Sequence, residues 1–298
     1  MTGTGTQTDP YIVMNYDDFC NMTGGDSTYY KLGADIDFAK ADRKSTDNGI
    51  SINFAQLDGD GHTVSNFFRR IDISNYVNSI FRYGNGAKSM VLQNIYFKGI
   101  YLSGGTTYFI SGVSTSYNIT LKNCRIALKI NDTSGTSSGS PALFNRTKLI
   151  DSEILIEGTS DYIKSITNSE TYGCLFRFNM TFFNTGYTNT RTIFDNNISF
   201  CGITGNFICK DSSAARYILV TVSHTVSNSY FALNFDCIYS FSMTSNFSGI
   251  NFYDKEVMAN TVTKMPVSDH FLALTTEQCK SAEYLQSIDF PCTSGDSV

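Results

Sequence analysis

The 298-residue chain contains no tryptophan, only 4 prolines, and few charges, which make up 16% of its residues. Hydrophobic residues are 41% and aromatics 14%, too apolar a mixture for a disordered chain. There is no basic excess: 22 Lys and Arg stand against 27 Asp and Glu, a net charge of -5. The electrostatic footprint of a nucleic-acid binder is therefore missing. No run approaches the ~20 continuous apolar residues of a spanning helix, so no membrane insertion is expected. Residues 1–13 lack a basic segment followed by an apolar run, so no secretory signal is visible and synthesis in a cytosol is expected. The 8 cysteines form no CxxC pair and show no metal spacing, which favours reduced, buried thiols that behave as small hydrophobes. No HExxH, GxSxG, phosphate-loop or dinucleotide fingerprint occurs, and no cofactor is expected.

What is present is a chain rich in Asn, Ser, Thr, Phe and Tyr, the composition of β-structure with a neutral, hydroxylated surface. One short pattern recurs. A few residues that include an apolar one lead to Asn or Asp, and two variable residues lead on to an aromatic or β-branched one. Its Asn or Asp positions are Asp35, Asn66, Asn94, Asn123, Asp151, Asn179, Asn197 and Asn228, with Asn251 a weaker last member. The intervals are 31, 28, 29, 28, 28, 18, 31 and 23 residues. Four consecutive intervals of 28 or 29 point to coils of a parallel β-solenoid, strand and turn repeating with each coil stacked on the last. A β-sandwich would show turns every 8–12 residues without the longer period. The recurrent Asn or Asp then reads as a corner residue, because these side chains tolerate left-handed backbone and can hydrogen-bond along the axis as a ladder.

The expected fold is all-β, a right-handed parallel β-helix with a short N-terminal capping helix and a C-terminal helical cap. Residues 1–34 are expected as the N-terminal cap, 35–254 as about eight coils, and 255–298 as an irregular and helical C-terminal cap. Asn15 is the expected N-cap of the first helix with Asp18 at its third position, and Thr276 the expected N-cap near the far end.

Chemistry is sparse. His62 lies in the turn Asp58-Gly59-Asp60-Gly61-His62, where a structural corner outweighs a metal site. Asp151, Glu153 and Glu157 share one coil and are outward-facing carboxylates of the type a glycoside hydrolase needs in pairs, with solvation as the simpler reading. No catalytic, cofactor-binding or metal-binding residue is assigned. Tyr101, Tyr108 and Tyr117 are candidates for stacking on sugar rings.

Residues Gly3–Val13 followed by Asp17, Asp18 and Phe19 resemble the opening of bacterial and phage right-handed β-helix proteins with GLUG-type repeats. Residues 29–38 and the turn Leu57–Val64 are similar to the next elements of that family. Leu274–Glu277 with Tyr284 and Leu285 resembles its closing element, although the aromatic-rich end is missing. The resemblance implies a virion tail spike, tail fibre, head fibre or decoration subunit made in a bacterial cytoplasm. It also implies a homotrimer that contacts other virion proteins and a host surface polysaccharide. A depolymerase on the same scaffold and a bacterial surface adhesin remain as alternatives.

Overall fold

Strict alternation sends every second side chain of each strand inward. On strand Arg125–Asp132, Ile126, Leu128 and Ile130 are buried while Arg125 and Lys129 face solvent. The next coil places Ile154 on Ile126, and Phe176, Ile203 and Phe231 follow in register on successive coils. This column of wholly or almost wholly buried side chains is the core. A computed structural model describes residues 1–40, 50–52, 54–66, 68–70, 79–83, 89–103, 108–111, 119–132, 142–160, 164–182, 191–192, 194–209, 218–219, 225–236, 246–259 and 268–291. Within them the chain is a parallel β-helix built from one sheet of 14 strands, one of 11, and a pair of short strands, Arg191–Thr192 and Ile218–Leu219.

Each coil crosses three faces. A strand such as Tyr108–Ser111 leads to Ile119–Lys122, a sharp corner at Asn123, and then Arg125–Asp132. One coil later the same path runs through Ala142–Asn145, Thr147–Ile150, a corner at Asp151, and Glu153–Ser160. In the following coil the first two faces fuse into one continuous strand, Lys164–Tyr172, which pairs with both preceding strands.

The corner is a left-handed residue whose N–H bonds to the next coil. Asn94 (φ 55°), Asn123 (51°), Asp151 (48°), Gly173 (64°), Phe200 (55°), Asn228 (48°) and Gly249 (62°) occupy it. Asn94 N donates to Lys122 O at 3.1 Å, Asn123 N to Ile150 O at 3.0 Å, and Asp151 N to Tyr172 O at 2.9 Å. The amide ladder is real but short: Asn123 Nδ2 donates to Asn94 Oδ1 at 2.8 Å, and Asn94 Nδ2 to Asp58 Oδ1 at 3.0 Å.

The remaining repeat positions lie elsewhere. Asn179 is exposed on strand Leu175–Phe182, in register with Glu157 and Asn206, and Gly173 takes the corner six residues earlier. Asn197 lies inside strand Phe194–Ser199, where its Oδ1 accepts from Thr225 N at 3.1 Å, and Phe200 takes the corner. Asn66 is left-handed but belongs to a bend opposite Gly99 in the second sheet, and its Nδ2 donates to Asp37 Oδ1 at 2.9 Å. Asp35 precedes that sheet's first strand and accepts from Thr63 N.

Immediately after the corner, Cys124, Ser152, Cys174, Cys201 and Ser229 stack inward. The serine hydroxyls accept backbone N–H groups of the preceding coil, Cys124 N on Ser152 Oγ and Cys201 N on Ser229 Oγ, each at 3.1 Å. Cysteine and serine share this position with Ile95, which follows the Asn94 corner, and burial pushes the Cys124 thiol up to about 11.

The ends are closed differently. Strands Tyr11–Val13 and Gly25–Leu32 already belong to the 14-stranded sheet, and helix α1, Tyr16–Cys20, inserts between them. Asn15 caps it, accepting from Asp18 N at 2.9 Å, and the Asp18 carboxylate returns to Met14 N at 3.0 Å. Phe19 enters the core against Phe38. At the far end Met258 plugs the core. Helices α2, Thr276–Lys280, and α3, Ala282–Ser287, instead pack on the outer face of the last coils through Phe252, Leu274, Leu285 and Phe290. Thr275 is the N-cap of α2, in a reciprocal box with Gln278, so the cap lies one residue before the expected Thr276. Thr276 is the first helical residue, and its hydroxyl donates to Asp254 Oδ2 at 2.7 Å.

Candidate functional site

The turn Asp58–His62 stands out from the corner because it carries extra residues. Gly59 has no room for a side chain, since a Cβ would collide with the Asn94 carbonyl. Asp60 and Gly61 follow with φ 51° and 84°, and His62 N closes the turn on Gly59 O at 2.8 Å. Beside this ridge lies a groove of about 410 Å³ lined by Asp60, Gly61, Asn94, Ile95, Tyr96, Asn123 and Arg125. Tyr96 and Arg125 are partners in register on adjacent second-face strands, and the guanidinium sits 5.1 Å from the ring centroid. Such a cation over an aromatic face holds both side chains in place.

The carboxylates around the groove are engaged. Arg125 Nε contacts Glu153 Oε2 at 3.0 Å, and Arg177 Nη1 contacts Glu153 Oε1 at 3.3 Å, so both oxygens face guanidinium groups. Asp60 pairs with Lys31 at 2.9 Å. Asp58 is partly buried, which raises its pKa, but three hydrogen bonds outweigh that: Asn94 Nδ2, Asp60 N, and Gln93 Nε2 at 2.7 Å. The net result is a carboxyl below its ordinary value. Asp35 is also lowered, first by the Thr63 N–H and then by His62, whose Nδ1 lies 3.1 Å from it. His62 thus turns away from Asp58 and Asp60, and no group of His, Cys, Asp or Glu suited to a metal ion occurs among the described residues. Of the other expected carboxylates, Glu157 is exposed in the outward row of Asn179, and Asp151 holds its corner.

No protein-family model and no curated protein matches the chain. Among solved structures, the chain is similar to a Bacteroides ovatus protein solved as a candidate immunoglobulin A1 protease. The identity is 18%, over 96% of this chain and 88% of that one, with a TM-score of 0.43. The site is therefore read from its own residues.

Those residues bring together an aromatic ring, a guanidinium, two Asn side chains and the Asp60 carboxylate, which pairs with Lys31. Such convergent polar groups beside an aromatic suit hydroxyl-rich ligands. Sequence reasoning found Asn94, Asn123 and the Asp58–His62 turn but missed Tyr96 and Arg125. They lie 29 residues apart and meet only through strand register. Of the tyrosines expected to meet sugars, Tyr101 is half-buried on its strand. Tyr117 and the side chain of Tyr108 lie outside the described residues.

The Asp58 hydrogen bonds give a pH signature. Its folded pKa lies below the ordinary 3.8, so its contribution to stability is complete above that value. The contribution is lost as pH falls through the folded pKa. Asp58→Asn should lower the melting temperature at neutral pH, and the gap to the wild type should close as the pH falls through the folded pKa of Asp58. Thermal melts across that range check this, and a constant gap would show that the carboxylate charge is not what matters.

Proposed function

We propose that the chain is a non-enzymatic structural protein of a bacteriophage virion, a tail spike, fibre or head appendage. It assembles as a homotrimer and contacts a polysaccharide on the host surface through the Asp60–Arg125 groove. The observation that carries this reading is the groove itself. The Arg125 guanidinium, with its Nε on Glu153, and the half-exposed Tyr96 ring beneath it line it beside Asn94 and Asn123, while Asp58, Asp60 and Glu153 are each held by amides or cations. A carboxylate with both oxygens on guanidinium groups is poorly placed to pass a proton to a leaving group, which is what a hydrolase requires. The resemblance of residues 3–64 to β-helix proteins of phages and bacteria supports the setting. A solenoid of stacked coils also provides the stiff rod that an appendage needs.

The test uses polysaccharide extracted from the envelope of bacterial hosts. The protein should bind the immobilised glycan, and Arg125→Ala should weaken binding by about tenfold. No new reducing ends should appear on long incubation. Sedimentation should give three times the 33.0 kDa of the chain. Steady release of oligosaccharides would replace this reading with a depolymerase, and a monomer at all concentrations would remove the trimer.

A further inference from the structure

Phe200 breaks the rule of its own corner. Its neighbours there are Asn, Asp and Gly, which enter the left-handed region at little cost, whereas a bulky aromatic at φ 55° is strained. The ring is not buried in return. Phe200 is 39% exposed, and its partner Tyr172, one coil earlier, is 49% exposed. The two ring centroids lie 5.1 Å apart with the planes at 52°. A half-wet aromatic pair returns no more than the strain removes. Fold stability alone therefore does not account for Phe200, and an unrepaid local violation with its apolar faces outward marks a contact site.

The surroundings narrow the ligand. Toward the preceding coil, the Asp151 carboxylate fills the space that a side chain at Gly173 would occupy. Toward the following coil, Ser227 Oγ and Ser199 Oγ are linked at 2.9 Å, and Asn228 holds the next corner. Aromatic faces bordered by a carboxylate, hydroxyls and an amide are complementary to a pyranose ring, whose C–H face is apolar and whose rim is hydroxylated. The nearby carboxylate disfavours an acidic sugar.

We propose that Tyr172 and Phe200 form a stacking platform for a neutral hexopyranose unit, a second subsite on the edge that carries the Asp60–Arg125 groove. It takes its ligand class from the glycan-binding reading but stands on different residues. Corner to corner, Asn123 and Phe200 are three coils apart, roughly 14 Å at the strand spacing of a sheet. One oligosaccharide laid along the edge spans that distance.

Calorimetric titration of the full chain with maltohexaose, cellohexaose, chitohexaose and, as the acidic control, hexagalacturonate tests the platform. At least one neutral probe should bind, and more tightly than the acidic one. Phe200→Asn installs the residue that the corner prefers, so it should keep or raise the melting temperature while weakening binding about tenfold. Tyr172→Ala, at an unstrained position, should weaken it similarly and decides the matter if Phe200→Asn does not fold. Unchanged affinity in the folded variants overturns the platform. If Arg125→Ala weakens binding in the same titrations, the glycan reading survives that failure. No binding of any neutral probe by the wild type overturns the platform, while the envelope-polysaccharide experiment still decides the groove.

Discussion

Alanine at position 158 should cost the fold about 3 kcal/mol or more. Gly158 lies within strand Glu153–Ser160 at φ 127°, and a Cβ there would run into the carbonyl oxygen, carbon and nitrogen of Ile130. Ile130 is its register partner in the preceding coil, so the obstacle is backbone already fixed by strand pairing. It cannot swing aside without opening the ladder between two coils. Gly173 is the natural control. It also has positive φ, at 64°, but its Cβ would meet the end of the Asp151 side chain, which can rotate away. Gly173→Ala should therefore cost about 1 kcal/mol, the conformational strain alone. Urea unfolding followed by circular dichroism should separate the two variants clearly. Equal losses would mean that the backbone collision at Gly158 is relieved in a way the rigid coil geometry does not suggest.

Phe109→Ala should cost about 3–5 kcal/mol. Phe109 is fully buried and sits between Phe97 and Phe144, edge-on to both, with centroids at 5.3 and 5.9 Å. Truncation removes both ring contacts and leaves a void on the axis of the helix. Neighbouring coils cannot close it, because their separation is set by backbone hydrogen bonds rather than by side-chain size. Contacts in a solenoid join nearest neighbours, so the damage should also be local. Hydrogen exchange should accelerate in Tyr96–Ser103, Tyr108–Ser111 and Ala142–Asn145, and much less in the terminal coils. Uniform acceleration throughout would show that the whole stack unfolds as one cooperative unit.

The parallel β-helix was legible because the corner imposes a chemical demand. A left-handed residue must recur once per coil, and Asn94, Asn123 and Asp151 answer it at intervals of 29 and 28 residues. The pattern fails after Asp151 for two physical reasons. Fusing two faces into the single strand Lys164–Tyr172 shortens that coil, so the next corner arrives after 22 residues. That corner is also filled by Gly173, which satisfies the same demand without resembling Asn. The 28-residue phase consequently landed on Asn179, six residues past the corner and inside strand Leu175–Phe182. Phe200 was invisible for the opposite reason, since a bulky aromatic contradicts the left-handed propensity that makes Asn and Gly recognisable at a corner. The groove was half legible. Glycines announced the turn at 58–62, but Tyr96 and Arg125 carry no local signal, because only strand register brings them together. The placement of α2 and α3 was equally hidden. It follows from Phe252 facing outward, an apolar residue on the polar parity of its strand that needs Phe290 to cover it, at 4.8 Å between centroids.

The corner amides also have a direction. Asn123 donates to Asn94 and Asn94 donates to Asp58, so each proton points toward the N-terminal end. An ionised carboxylate accepts but cannot donate. Asp58 therefore terminates the row on that side, and Asp151 cannot pass it on at the other. A coil duplicated between these two carboxylates, with Asn at its corner, would receive one hydrogen bond and supply one without altering either neighbour. The same insertion directly after Asp151 would lie between a carboxylate and Gly173 and find no amide to continue. The row thus marks a stretch of this β-helix whose length can change by whole repeats while the side-chain chemistry of its corner stays matched.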